Sequence, residues 1–168
     1  MNYLIQPICL LALCAVQCKA QPNNVNEISK NGMTVSWKIE GDVLQLSMKA
    51  PTDGWVAIGL NSVDELAGTN LIMGCVKDGN TSLSDRYILA PGKHQSIQDL
   101  GGTSAVKLIS GQELASETSL EFTLPLHAPD QWHHELKPGK KYHLLLAFSR
   151  ADDFEHHSMM RTAVEISL

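Results

Sequence analysis

The side chains with the most chemical potential lie near the C-terminal end of the chain. Asp152-Asp153-Phe154-Glu155 runs directly into His156-His157, and Arg161 follows four residues after His157. Two imidazoles on a loop just before a final strand suit either of two states, ligand-binding or plainly solvated, because functional groups of a sheet protein gather on such rims. The three carboxylates likewise suit an oxygen-ligand cation site or a solvated acidic loop. A second pair, His133-His134, follows Pro129-Asp130 and reads as a solvated loop. Neighbouring residues on a strand face opposite ways, so neither pair is expected to give two ligands to one metal. Met73 and Cys75 fall mid-strand in Met73-Gly74-Cys75-Val76, where they read as a core-filling thioether and a buried, inert thiol. His94 and Asp99, between Pro91 and Gly102, are the polar candidates of a second rim loop.

Most catalytic templates fail. The sequence has no Gly-x-Ser-x-Gly elbow, phosphate loop, His-Glu-x-x-His or Cys-x-x-Cys. The domain is therefore not expected to be an enzyme on its own. Without Cys-x-x-Cys-His, haem could be held only through axial ligands and apolar contacts. A formal charge of −5 and an aromatic content of 5% argue against a nucleic-acid partner, which calls for a basic face and stacking rings.

The elements that must position these residues begin after a leader. Leu10 to Val16 is an apolar run too short for a bilayer, and it ends in Gln17-Cys18-Lys19-Ala20 before the polar Gln21-Pro22-Asn23-Asn24. This pattern predicts a signal peptide over residues 1–20, a short extension over 21–29 and one domain over 30–168. The protein is then secreted, or at least extracytoplasmic. Cleavage removes Cys9, Cys14 and Cys18 and leaves Cys75, so no intrachain disulfide is available. Lys19 also leaves, and the charge moves from −5 to −6. The sequon Asn80-Thr81-Ser82 sits in a turn and would be glycosylated in a eukaryotic host.

Beyond the leader the chain reads as strands. Met33, Val35, Trp37 and Ile39 alternate with polar residues, as do Leu44, Leu46 and Met48, and Gly41-Asp42 between them marks a hairpin. Further strands are expected over Trp55 to Leu60, Leu71 to Lys77, Ser82 to Leu89, Ala105 to Ile109, Ser119 to Leu124, Tyr142 to Phe148 and Arg161 to Leu168. Val63 to Ala67 is expected to make one helical turn. About nine short strands separated by turns predict an all-β fold, an antiparallel immunoglobulin-like β-sandwich.

Several segments, in order, resemble the DOMON domain, the β-sandwich module also found in dopamine β-hydroxylase-like proteins. They are Gly54-Trp55-Val56-Ala57-Ile58-Gly59-Leu60, the stretch Ala67 to Gly79, Ser84-Asp85-Arg86-Tyr87, Asp99-Leu100-Gly101-Gly102, Leu120 to Leu126, and Asp152 to His157 followed by Arg161. The resemblance implies a ligand-binding sandwich, in some relatives a b-type cytochrome with methionine and histidine as haem ligands. On that basis His157 matches the family histidine, with His156 as the alternative if the register slips by one. Arg161 would pair with a propionate, and Trp55 and Ile58 would line an apolar wall. At the position of the relatives' methionine this chain has Leu66-Ala67 before Gly68-Thr69. Leucine cannot coordinate iron, and Met73 is the thioether further along. Haem b for electron transfer is thus one reading. Its partners would be a redox protein, including association with a membrane cytochrome. The other reading is a module that binds a non-haem small ligand, such as a sugar or catechol, or a protein partner.

Overall fold

The computed structural model describes residues 25–168, so the expected leader and its three cysteines lie outside the described residues. Eleven strands form two antiparallel sheets. They are β1 (Asn26–Lys30), β2 (Met33–Glu40), β3 (Val43–Ala50), β4 (Val56–Asn61), β5 (Asn70–Lys77), β6 (Asn80–Ala90), β7 (Lys93–Ser96), β8 (Lys107–Leu114), β9 (Glu117–Pro125), β10 (Lys141–Phe148) and β11 (Met160–Ser167). One sheet runs β1-β2-β3-β9-β8 and the other β11-β10-β4-β5-β6-β7. The expected all-β sandwich is found.

Alternation dictates the five-stranded sheet. Val35, Met48 and Leu120 lie side by side across β2, β3 and β9, as do Trp37, Leu46 and Phe122, and then Ile39, Leu44 and Leu124. Every second residue therefore presents an apolar side chain to the other sheet, while the polar residues between them face outward.

The six-stranded sheet behaves differently, because β4 is buried along its whole length and β5 along all but its last residue. Val56, Ile58, Leu60, Ile72, Leu144 and Leu146 face the five-stranded sheet and join the main core. Trp55, Ala57, Leu71, Met73, Cys75, Leu145 and Ala147 form a separate apolar cluster on the opposite face. A near-continuous apolar run such as Trp55 to Leu60 is what burial on both faces demands.

The structure departs from the expected elements in three places. Strands β1 and β7 were not anticipated; β1 lies mostly in the stretch assigned to the N-terminal extension and pairs with β2, and β7 pairs with β6. Both are short, polar edge strands with little apolar alternation to betray them. Val63 to Ala67 is bend and turn, not a helical turn. The buried Asn61 side chain replaces the helical hydrogen bonds there: its Nδ2 donates to the carbonyls of Glu65 and Ala67, and its Oδ1 accepts from the Val63 N–H. Ile58, expected beside Trp55 on one apolar wall, faces the inter-sheet core with no exposure. The two are three residues apart, an odd separation, and so lie on opposite faces.

Ile58→Ala is expected to lower the unfolding free energy by about 2–5 kcal/mol, the usual cost of such a truncation in a core. Chemical denaturation would measure it.

Candidate functional site

Register places the outer-face residues in rows across the six-stranded sheet. Arg161, Ala147, Ala57, Met73 and Ser84 are opposite one another in turn, as are Ala163, Leu145, Gly59, Leu71, Arg86 and Ser96. Ile88 lies opposite His94. The middle of both rows is small (Ala147, Ala57, Gly59), so the sheet surface is low there and higher at Leu71, Met73 and Leu145. At Gly59 this is a requirement, because a Cβ would lie 2.5 Å from Thr69 Cγ2.

Over this floor lies a cavity of about 130 Å³, lined among others by Trp55, Ala57, Leu66, Met73, His94, His156, His157 and Arg161. A second hollow of about 270 Å³ adjoins it, sharing Leu66, Leu145 and Arg161, and adds Asp64, Glu65 and His143. Each alone is smaller than the roughly 300–1,000 Å³ typical of small-molecule sites, and together they fall within it. Arg161, which is exposed, stands between them.

The loop that carries His156 and His157 is tied at both ends. The Trp55 N–H donates to Ala151 O and the Ser149 N–H to Trp55 O, while the Met159 N–H returns to Phe148 O. The Thr52 hydroxyl donates to Ser149 O at 2.5 Å. Gly54 permits this crossing, since a Cβ there would sit 2.4 Å from the Arg150 carbonyl carbon. Both histidines are exposed on the cavity rim. Trp55 is 3% exposed, and its Nε1–H is buried without an acceptor, an arrangement that costs about 1–3 kcal/mol.

Of the residues singled out from sequence, His156, His157, Arg161, Trp55 and Met73 line one cavity, and Ile58 does not. Met73, 2% exposed, belongs to the outer cluster and not to the main core. Leu66 lines both hollows. The carboxylates before the histidines do not converge. Asp153 accepts the Glu155 N–H, and Glu155 pairs with Arg86. Cys75 is buried beside Asp152, and burial, then the Asp152 charge, pushes its thiol above the ordinary range, as suits an inert residue.

Sequence reasoning missed the network around His94. Its Nδ1 accepts the Arg86 Nε–H at 2.8 Å, and the same guanidinium pairs with Glu155. Burial, then the Arg86 charge, pushes the His94 imidazole below its ordinary range. No spacing rule links β6, β7 and the loop before β11, so this chain of contacts has no sequence signature.

The histidine pair read as a solvated loop is instead built into the fold. The His133 side chain is 4% exposed and bridges two carboxylates, Nδ1 to Asp130 at 2.7 Å and Nε2 to Asp85 at 3.0 Å. Asp85 also accepts from Asn70 Nδ2 and the Ala105 N–H. His134 bonds through Nε2 to Gly68 O, and Trp132 packs edge-on against Tyr87. The partner Asp85 is 48 residues away, beyond the reach of local pattern.

The DOMON domain model matches residues 29–149. The chain belongs to the DOMON family. Strand β11 lies beyond the matched residues and pairs along its whole length with β10. This DOMON domain is 27% identical over 125 residues to MOXD1 homolog 2 of Drosophila melanogaster, covering 74% of this chain and 16% of that protein. Its fold is similar to the cytochrome b domain of pyranose dehydrogenase from Coprinopsis cinerea, with a TM-score of 0.62 and 11% identity over 80% of this chain and 76% of the other. It is also similar to the cytochrome domain of Myriococcum thermophilum cellobiose dehydrogenase, with a TM-score of 0.59 and 11% identity over 86% and 81%. No helix among the described residues is long and apolar enough to cross a membrane.

The network at His133 predicts a pH dependence. Burial works against its protonation, but the hydrogen bonds to Asp85 and Asp130 and their charges outweigh it and raise its pKa. A raised folded-state value gives stability that is complete below about pH 6.5, the unfolded value, and is lost as pH rises through the folded one. For Asp130, burial is outweighed by hydrogen bonds from His133, Trp132 and Thr103, and its pKa is lowered. That contribution is present above about pH 3.9 and is lost as pH falls through the lower folded value. Denaturant titrations from mildly acidic to alkaline pH should show wild type losing stability on the alkaline side. His133→Ala should remove that slope and cost about 3–5 kcal/mol at neutral pH, because Asp85 keeps its bonds from Asn70 and Ala105 but is left buried without a counter-charge.

Proposed function

We propose that the outer face of the six-stranded sheet is a small-ligand site and that haem b, held non-covalently, is the ligand it fits best. One observation carries the reading: His157, His156, Met73, Trp55 and Arg161, on four separate parts of the chain, line the same cavity. The residues suit the group in kind. An apolar floor takes a flat macrocycle, exposed imidazoles can coordinate iron, and Arg161 and Lys93 can meet anionic propionates. His157 would hold the iron, with His156 as the alternative, and Met73 supplies the thioether among the lining residues. Trp55 would form a wall. When bound, haem supplies a one-electron redox centre whose potential depends on its axial ligands. The similarity to cytochrome domains supports the fold of such a site, and a role in electron transfer to a redox partner protein or a membrane cytochrome follows as part of the proposal. So does secretion after cleavage at Ala20.

Extent favours haem over a sugar or catechol. From Arg161 on β11 to His94 on β7 the floor crosses six strands, five steps of about 4.8 Å each. A monosaccharide or catechol would touch one rim at most, whereas a macrocycle with two carboxylate arms reaches further. One observation favours the second reading, a non-haem ligand: Leu66, where a second axial ligand would stand in cytochrome relatives, offers no coordinating atom.

Titration of the purified protein with haemin is expected to produce a saturable Soret band, weakened at least tenfold in affinity by His157→Ala. Met73→Leu should shift the reduced spectrum if the thioether coordinates. If no band forms while a sugar or catechol raises the melting temperature, the non-haem reading replaces this one.

A further inference from the structure

We propose that His94 is the hydrogen-bond donor that selects a carboxylate-bearing ligand at the β7 end of the groove, held in that role by Arg86, and that it is not a metal ligand. This deepens the haem reading and rests on it.

A neutral imidazole has one N–H and one bare nitrogen, and the hydrogen bond made by one ring nitrogen decides the state of the other. Arg86 is always charged and can only donate. Its Nε–H occupies His94 Nδ1 at 2.8 Å, so Nδ1 carries no proton and the ring's N–H is at Nε2. A metal-binding histidine needs a bare ring nitrogen, Nε2 or Nδ1, and here the bare nitrogen is Nδ1, already occupied by Arg86. His94 could coordinate only by breaking its bond to Arg86. As it stands, it offers an N–H to an oxygen.

The position favours an anionic oxygen. His94 lines the cavity opposite Ile88, next to exposed Lys93. Arg86 is largely covered, its side chain 11% exposed, and its charge is balanced by Glu155. That leaves Lys93 as the uncompensated charge beside the His94 donor. Burial and Arg86 both oppose protonation of His94, which keeps the donor neutral and its tautomer fixed. The guanidinium also joins β6 to the loop of His156 and His157 through Glu155. The donor and the candidate iron ligands are therefore positioned by one side chain.

The probes are haemin and its dimethyl ester, which has the same macrocycle without the two carboxylates. Wild type should bind the ester about tenfold or more weakly, the scale of one hydrogen bond to a charged group. His94→Phe should reduce that discrimination by the share of one hydrogen bond, leaving what the cationic side chains contribute, with the bound absorption bands unmoved, and His94→Gln, which keeps an N–H donor, should retain it. Long-range proton–nitrogen NMR of the free protein should show His94 protonated at Nε2. Discrimination unchanged in His94→Phe overturns the proposal, as do bands displaced by that variant, which would make His94 an iron ligand. A proton found at Nδ1 overturns it alone, whatever the groove binds. Failure of wild type to bind haemin overturns both this proposal and the haem reading.

Discussion

A β-strand offers its side chains to two surfaces and no more, and the six-stranded sheet uses both. One face, with Ile58, Ile72 and Leu146, closes the sandwich core. The other, with Trp55, Leu71, Met73 and Leu145, is buried beneath loops. Everything proposed for the groove depends on this division, because it separates residues that hold the fold from residues free to meet a ligand. It also explains why the floor is concave. Ala57 and Ala147 fall on the outer face, where larger side chains would fill the hollow.

Loops complete the site, and polar side chains hold them. Asn61 folds the segment that brings Leu66 to the groove, Thr52 and the Trp55 backbone root the segment that brings His156 and His157, and Arg86 links that segment to β7. Beyond the groove, His133 and its two carboxylates fasten the chain around Ala105 and Trp132 to β6. A rigid sheet thus carries a rim set by a few hydrogen bonds.

Much of the sandwich is legible in the chain. Period-two alternation marks β2, β3 and β9, and the unbroken apolar run of β4 signals a strand covered on both sides. Edge strands β1 and β7 escape because NEISK and KHQS have almost nothing to bury. The rim histidines near Arg161 are visible as chemistry on a loop before a strand. Parity alone places Ile58 away from Trp55, a rule readable without coordinates. By contrast, His133 with Asp85 and His94 with Arg86 and Glu155 are tertiary pairs, and nothing in local composition distinguishes them from solvated loop histidines.

The central claim is that ligand meets the outer face of this sheet. Methyl NMR measures it directly, because neighbouring residues on one strand report opposite faces. On adding haemin, the methyls of Ala57, Leu71, Met73 and Ala147 should shift or broaden strongly, while those of Ile58, Leu60 and Ile72 change little. Perturbation centred instead on the five-stranded sheet, or equal on both sets, would contradict the account.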